Sequence, residues 1–125
     1  MELYRAGEDY LKAIFILQKN NGIVHSMDVA RRLKVSKASV SRSVGLLREG
    51  GLLTMDADKR LHLTQAGSDI AEQIYDKYCV LTSWLVHMGV DAETAQTDAC
   101  RMEHVISDKC VDVLRSRLEE ALTGT

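Results

Sequence analysis

The chain of 125 residues is 46% apolar and 27% charged, with 5% aromatics and no proline. That balance suits one globular domain, or two small ones sharing a core, and it excludes a proline-rich linker or an aromatic platform for single-stranded RNA. The net charge of −2 hides an asymmetry: residues 26–60 hold eight basic residues against four acids, so this stretch is +4 and the rest is −6.

Residues 1–10 contain Glu2, Arg5, Glu8 and Asp9 and lack an apolar signal core, which implies a cytoplasmic protein. Over residues 5–19, Tyr10, Leu11, Ile14, Ile16 and Leu17 form an apolar stripe at helical spacing, with Glu8, Asp9, Lys12 and Lys19 between them. Asn20-Asn21-Gly22 closes this helix. Ser26 followed by Asp28 predicts an N-cap with an early acid, and Val29, Ala30 and Leu33 give a short second helix its apolar face. Lys34-Val35 makes a tight turn. Ser36 then caps a third helix that reaches Glu49, with Val40, Val44 and Leu47 inward, and Gly50-Gly51 stops it.

Residues 52–55 and 60–64 flank the polar turn Asp56-Ala57-Asp58-Lys59 and predict a β-hairpin. Thr64 caps a long helix to Met88, whose apolar residues are Ile70, Ala71, Ile74, Tyr75, Tyr78, Leu81 and Leu85. The most apolar stretch, residues 80–90, is broken by Thr82, Ser83 and His87 and falls short of the ~20 residues that a membrane span needs. Gly89 ends that helix. Asp91 with Glu93 opens another, running to Val105, and Ser107 with Asp108 opens the last, where Val111, Val113, Leu114 and Leu118 are apolar. The expected fold is mainly α: an N-terminal winged helix-turn-helix over residues 1–71, followed by a helical domain over residues 72–125.

The third helix of such a fold lies in a DNA major groove. Ser36, Lys37, Ala38, Ser39, Ser41 and Arg42 occupy its cap and exposed N-terminal half. Hydroxyls and a small apolar side chain fit base edges, and Arg42 can bond guanine or phosphate. Arg31, Arg32 and Lys34 suit phosphate contacts, and Lys59 and Arg60 sit on the hairpin, which can reach the flanking backbone or minor groove. A solvated helix with capping serines would carry the same residues; the turn, the hairpin and the local charge of +4 favour DNA.

Cys79, Cys100 and Cys110 are too few, and odd in number, for a disulfide framework. In a reducing compartment they are buried thiols, metal ligands or redox sensors. Residues 98–104 read Asp-Ala-Cys-Arg-Met-Glu-His. On a helix, Cys100, Glu103 and His104 would fall within an arc of ~100°, and a thiolate, a carboxylate and an imidazole converging there suit a transition metal. One helix cannot complete the coordination sphere, and a buried Cys beside a surface Glu–His pair is the plainer alternative.

Taken together, these stretches resemble the diphtheria toxin repressor family of metal-dependent transcription regulators, which includes the manganese transport regulators. Three segments carry the likeness: Glu8-Asp9-Tyr10-Leu11-Lys12-Ala13-Ile14; Val35-Ser36-Lys37-Ala38-Ser39-Val40-Ser41-Arg42-Ser43-Val44 with Leu61-His62-Leu63-Thr64-Gln65-Ala66-Gly67; and Asp98 through Asp108 with its Cys-x-x-Glu-His core. The resemblance implies a homodimeric repressor binding a palindromic double-stranded operator. It also implies that residues 72–125 dimerise and that a divalent ion is held between the first helix and the Cys-x-x-Glu-His segment. On that basis the metal ligands are Asp9, Cys100, Glu103 and His104. Cys100 matches iron-type members, where manganese-type members have Glu. Asp9 matches manganese-type members, where the best-known iron-type repressor has Met. Fe(II) is the expected metal and Mn(II) the alternative, for control of metal homeostasis genes.

Several positions depart from the family pattern. Lys12 stands where manganese-type members carry a second carboxylate, which argues against that form of two-metal site. Members place a His near residues 77–78 and an acid four residues on; here Lys77, Tyr78 and Cys79 are followed by Leu81 and Thr82. Gln96 replaces a His of iron-type members. Cys79 is a further candidate ligand or a buried thiol, Cys110 and His87 read as structural, and His62 lies on the hairpin. The chain stops at Thr125, so the SH3-like third domain of longer members is expected to be absent. Two rivals are a winged-helix regulator sensing a small organic ligand and a thiol redox switch using one of the cysteines. An enzyme is not expected, because no separate nucleophile or oxyanion motif is present.

Overall fold

The computed structural model describes residues 5–124, so residues 1–4 of the leading stretch read above for a signal core lie outside the described residues. The described elements are α1 (Arg5–Asn21), α2 (Ser26–Leu33), α3 (Lys37–Glu49), β1 (Leu53–Met55), β2 (Leu61–Leu63), α4 (Gln65–His87), α5 (Ala92–Met102) and α6 (Asp108–Thr123). This is the expected winged helix-turn-helix followed by helices. The chain divides into two compact units, residues 1–72 and 73–125.

The first unit is built on the stripe of α1. Tyr10, Leu11, Ala13 and Ile14 are buried with Val29, Val40, Val44, Leu47, Leu53 and Leu61 in one core. Fully burying a side chain such as Leu11 or Ile14 contributes about 1.5–3 kcal/mol relative to exposure. The start of α2 differs from expectation. Ser26 is the first helical residue, and His25 holds the cap position in extended backbone (φ −113°, ψ 161°). The cause is Asp28, whose carboxylate accepts the His25 backbone N–H at 2.8 Å and so closes the first turn one residue earlier. Lys34 ends α2 in the left-handed region (φ 56°), and the Val35 N–H returns to the Ala30 carbonyl at 3.1 Å. Ser36 caps α3 as predicted, accepting the Ser39 N–H at 3.1 Å.

Strands β1 and β2 pair antiparallel, Leu53 opposite Leu63, Thr54 opposite His62 and Met55 opposite Leu61. Asp56 organises the turn of this wing. Its Oδ1 accepts the N–H groups of Asp58 (2.9 Å) and Arg60 (3.0 Å), and its Oδ2 lies 2.8 Å from His62 Nε2. The His62 contact, then the Arg60 N–H, hold the Asp56 carboxyl below its ordinary range. The other edge of β2 is also occupied: the Leu61 N–H donates to the Val24 carbonyl at 2.8 Å, and His25 bridges Arg60. The wing is thereby fastened to the start of α2. At its base, Thr64 accepts the Gly67 N–H at 3.1 Å and donates to the Gly51 carbonyl at 2.7 Å.

In the second unit, Val80, Leu81, Ala95, Ala99, Val111 and Leu118 are buried. The Trp84 indole N–H donates to the Leu114 carbonyl at 2.6 Å, and Arg115 bonds Asp112 at 2.8 Å and also Asp76. Asp91 and Ser107 cap α5 and α6, accepting the N–H groups of Thr94 and Cys110. Helix α5 is shorter than predicted, ending at Met102 rather than Val105. The N–H groups of Val105 and Ile106 both return to the Met102 carbonyl (3.1 and 3.0 Å), and Ser107 must be extended (φ −75°, ψ 156°) to cap α6. A chain cannot stay helical up to an extended cap, so residues 103–107 form a turn. No described helix is long and apolar enough to cross a membrane.

Candidate nucleic-acid interface and metal-ligating residues

The exposed face of α3 carries Lys37, Ala38, Ser41 and Arg42, with Ser36 exposed at its cap and Ser39 half-buried. Arg31 and Arg32 are exposed at the end of α2, where Arg31 also pairs with Asp28 at 3.0 Å. Lys59 is exposed at the wing turn with φ 62°, whereas Arg60 is half-buried beneath it. A cleft of about 540 Å³ brings several of these together, lined by Lys37, Ser41 and Arg48 of α3, by Lys59 and Met55 of the wing, and by His25, Ser26 and Met27 at the start of α2. Two of these, Arg48 and His25, are not among the candidate DNA-contacting residues read from the sequence. Lys37, Ser41 and Arg48 stand at i, i+4 and i+11, which places them on one helix face; that spacing was the available signal. No comparable signal marks His25, because it enters the cleft through its bridge to Arg60. Cationic groups beside hydroxyls in a cleft flanking α3 suit a phosphate backbone.

The candidate metal ligands sit on two elements. At the C-terminal end of α5, the side chains of Glu103 and His104 are 0% and 4% exposed, with His104 Nε2 3.6 Å from Glu103 Oε1. Cys100 lies half-buried in the last turn of α5. The three were expected on one continuous helix face. Instead Glu103 caps the helix with near-helical backbone (φ −58°, ψ −25°), and His104 lies in the turn beyond it. Glu103 still follows Cys100 by three helical residues, so the early end of α5 moves His104 more than Glu103. Asp9 lies half-buried on α1 in the first unit, and Lys12, one turn on, is buried at 8% exposure. Cys79 is half-buried on α4 and Cys110 is exposed on α6. His87 is exposed and meets the edge of the Trp84 ring with centroids 5.9 Å apart.

A buried carboxylate is costly unless it is paired or coordinates a cation. Glu103 beside an imidazole, with a thiol one turn away, offers oxygen, nitrogen and sulfur donors, a set that fits a divalent transition ion better than a hard cation such as Ca²⁺ or Mg²⁺.

Residues 2–61 match the family described as iron dependent repressor, N-terminal DNA binding domain. Residues 64–123 match its companion, iron dependent repressor, metal binding and dimerisation domain. The chain is 31% identical to the transcriptional regulator MntR of Escherichia coli over 108 residues, 86% of this chain and 70% of that one. It is 32% identical to the iron-dependent repressor IdeR of Mycobacterium tuberculosis, over 86% of this chain and 47% of that one. Among solved structures, the manganese regulator SloR superposes with a TM-score of 0.80 at 29% identity, covering 90% of this chain and 53% of that one. The chain thus spans about half the length of IdeR and of the SloR chain.

Proposed function

The chain belongs to the iron-dependent repressor family, a family of DNA-binding regulators rather than enzymes, and from that premise we propose that it is a cytoplasmic repressor of metal homeostasis genes whose operator affinity is set by Fe(II). It binds a palindromic operator as a homodimer. The observation that carries the metal part is the pair of buried side chains, Glu103 and His104, 3.6 Å apart within the segment that matches the metal-binding domain.

Asp9, Cys100, Glu103 and His104 would hold the ion. When bound, a divalent ion supplies the positive charge that lets these anionic groups share a site. Metal-free, the carboxylates of Asp9 and Glu103 and any Cys100 thiolate repel one another, which opposes a shared position for α1 and the α5–α6 turn. Relieving that repulsion couples the DNA-reading unit to the dimerising unit. The paired α3 helices then sample a narrower range of separations, from which half-sites of matching spacing select. Coupling of this kind is worth ~1–3 kcal/mol per site. Exposed apolar side chains on the second unit, Met88 (72%), Val105 (84%) and Leu122 (66%) among them, are consistent with a dimerising surface.

Cys100 supports iron, since a thiolate is a softer ligand than the carboxylate of manganese-type members. Asp9 supports Mn(II) as the alternative, as does the similarity to the manganese regulator SloR. The buried Lys12 puts an amine in place of a second carboxylate on α1 and disfavours a second ion beside Asp9. The test is anaerobic operator binding by chelator-treated protein titrated with Fe(II), Mn(II) and Zn(II). Tightening of about 5–150-fold is expected, at a lower free concentration of Fe(II) than of Mn(II), and abolished in a Cys100→Ala, His104→Ala double variant. A flat response to all three ions would overturn the metal-sensing role, and a response to oxidant that chelators leave unchanged would favour the thiol switch.

A further inference from the structure

The turn over residues 103–107 presents two of the proposed ligands; its backbone N–H groups at Glu103, Val105 and Ile106 run back to α5, at Ala99 and Met102, and its last carbonyl, Ser107, accepts the Val111 N–H of α6. Its far end is also held from the side, by a lysine of α4. The Lys77 ammonium, on α4, donates to the Ile106 carbonyl at 3.1 Å and pairs with the Asp108 carboxylate at 2.8 Å. These two acceptors flank Ser107, the cap of α6. Lys77 is 19% exposed, so its stem is packed and its head directed, whereas Asp108 is 81% exposed.

An ion pair with one partner in water contributes little to stability. Its consequence is positional. An ammonium has three donors and no acceptor, and here at least two of them tie α4 to a turn 29 residues further along the chain. Lys77 departs from the family pattern, which places a His near this position, and it is not among the residues proposed to hold the ion.

We propose that Lys77 is a positioning residue for the ligating turn, holding Ile106 and Asp108 so that Glu103 and His104 present their donor atoms in one arrangement before any ion arrives. This rests on the metal-binding role proposed above. Outer contacts that orient ligands typically change metal affinity by 10–100-fold when lost.

The test uses Co(II) as the probe, because its visible absorption reports both ligand geometry and thiolate coordination. Relative to the unmodified protein, Lys77→Met is expected to weaken Co(II) about tenfold and to alter the Co(II) spectrum, with far-ultraviolet circular dichroism and dimer mass unchanged. Lys77→Arg, which keeps a cation and several donors, is expected to restore the affinity. In metal-free protein, hydrogen exchange at the Val105 and Ile106 amides is expected to quicken in Lys77→Met. Asp108→Asn, which leaves the carbonyl bond in place, serves as a milder second variant with a smaller shift in the same direction. Unmodified protein that takes up Co(II), with Lys77→Met and Asp108→Asn both matching it in affinity and spectrum, would overturn this proposal alone. Failure of the unmodified protein to bind Co(II) would remove the metal-binding role and this proposal with it.

Discussion

Gly67 shows how one position can decide local packing. A Cβ built there would lie 2.0 Å from the Leu52 carbonyl oxygen, a backbone atom that cannot swing aside. The same carbonyl accepts the Thr64 N–H at 3.1 Å, so the wing and α4 meet through main-chain contact that any side chain would prise apart. Gly67→Ala is expected to destabilise the first unit by about 1–3 kcal/mol, the usual cost of overpacking, read as a lower denaturant midpoint with an unchanged slope. Glu103 makes a different point at the same scale. Its spacing from Cys100 marks it as a candidate ligand, but the same residues also allow a surface Glu–His pair, and only the folded chain shows the Glu103 side chain fully buried.

The wing is the element whose order depends most visibly on one ionised group. Asp56 accepts two backbone N–H groups and contacts His62, and its carboxyl is held below the ordinary value, chiefly by His62. A depressed carboxyl pKa stabilises the folded form above the unfolded value, and that contribution is lost as pH falls through the folded one. The wing turn is therefore expected to loosen only in acid, below about pH 4, seen as faster amide exchange at Asp58 and Arg60. Asp56→Ala should show the loosened turn already at neutral pH and weaken operator binding severalfold through misplacement of Lys59. Unchanged exchange at both amides would count against this role. Helix α5 teaches the complementary lesson: its start at Asp91 was readable from a side-chain cap, and its end was set by the demand of the next cap at Ser107.

Over the whole molecule, charge is distributed by unit. The +4 of residues 26–60 sits on an otherwise acidic chain, so affinity for DNA is local, and the net charge of −2 opposes indiscriminate binding. If Lys37, Arg42 and Arg32 each neutralise a phosphate, replacing any one by Ala should lower the slope of log affinity against log salt by about 0.9. Fluorescence anisotropy at several salt concentrations measures this. A loss that varies with operator sequence would instead assign that residue to a base edge.

Much of the first unit was legible in the linear chain because its signals are local. The α1 stripe, the Ser36 cap, the Gly50-Gly51 stop and the Asp56–Lys59 turn each act through neighbours within about one helical turn. The same holds for the fold class and the family, whose marks are short motifs at regular spacing. Folding in three dimensions decided what local signals cannot carry: that His25 rather than Ser26 caps α2, that β2 is paired on both edges, that His25 joins the basic cleft, and that Lys77 reaches across to Ile106. Each of these is a contact between segments far apart in the chain or a competition between adjacent caps, and its energy exists only once the backbone has closed around it.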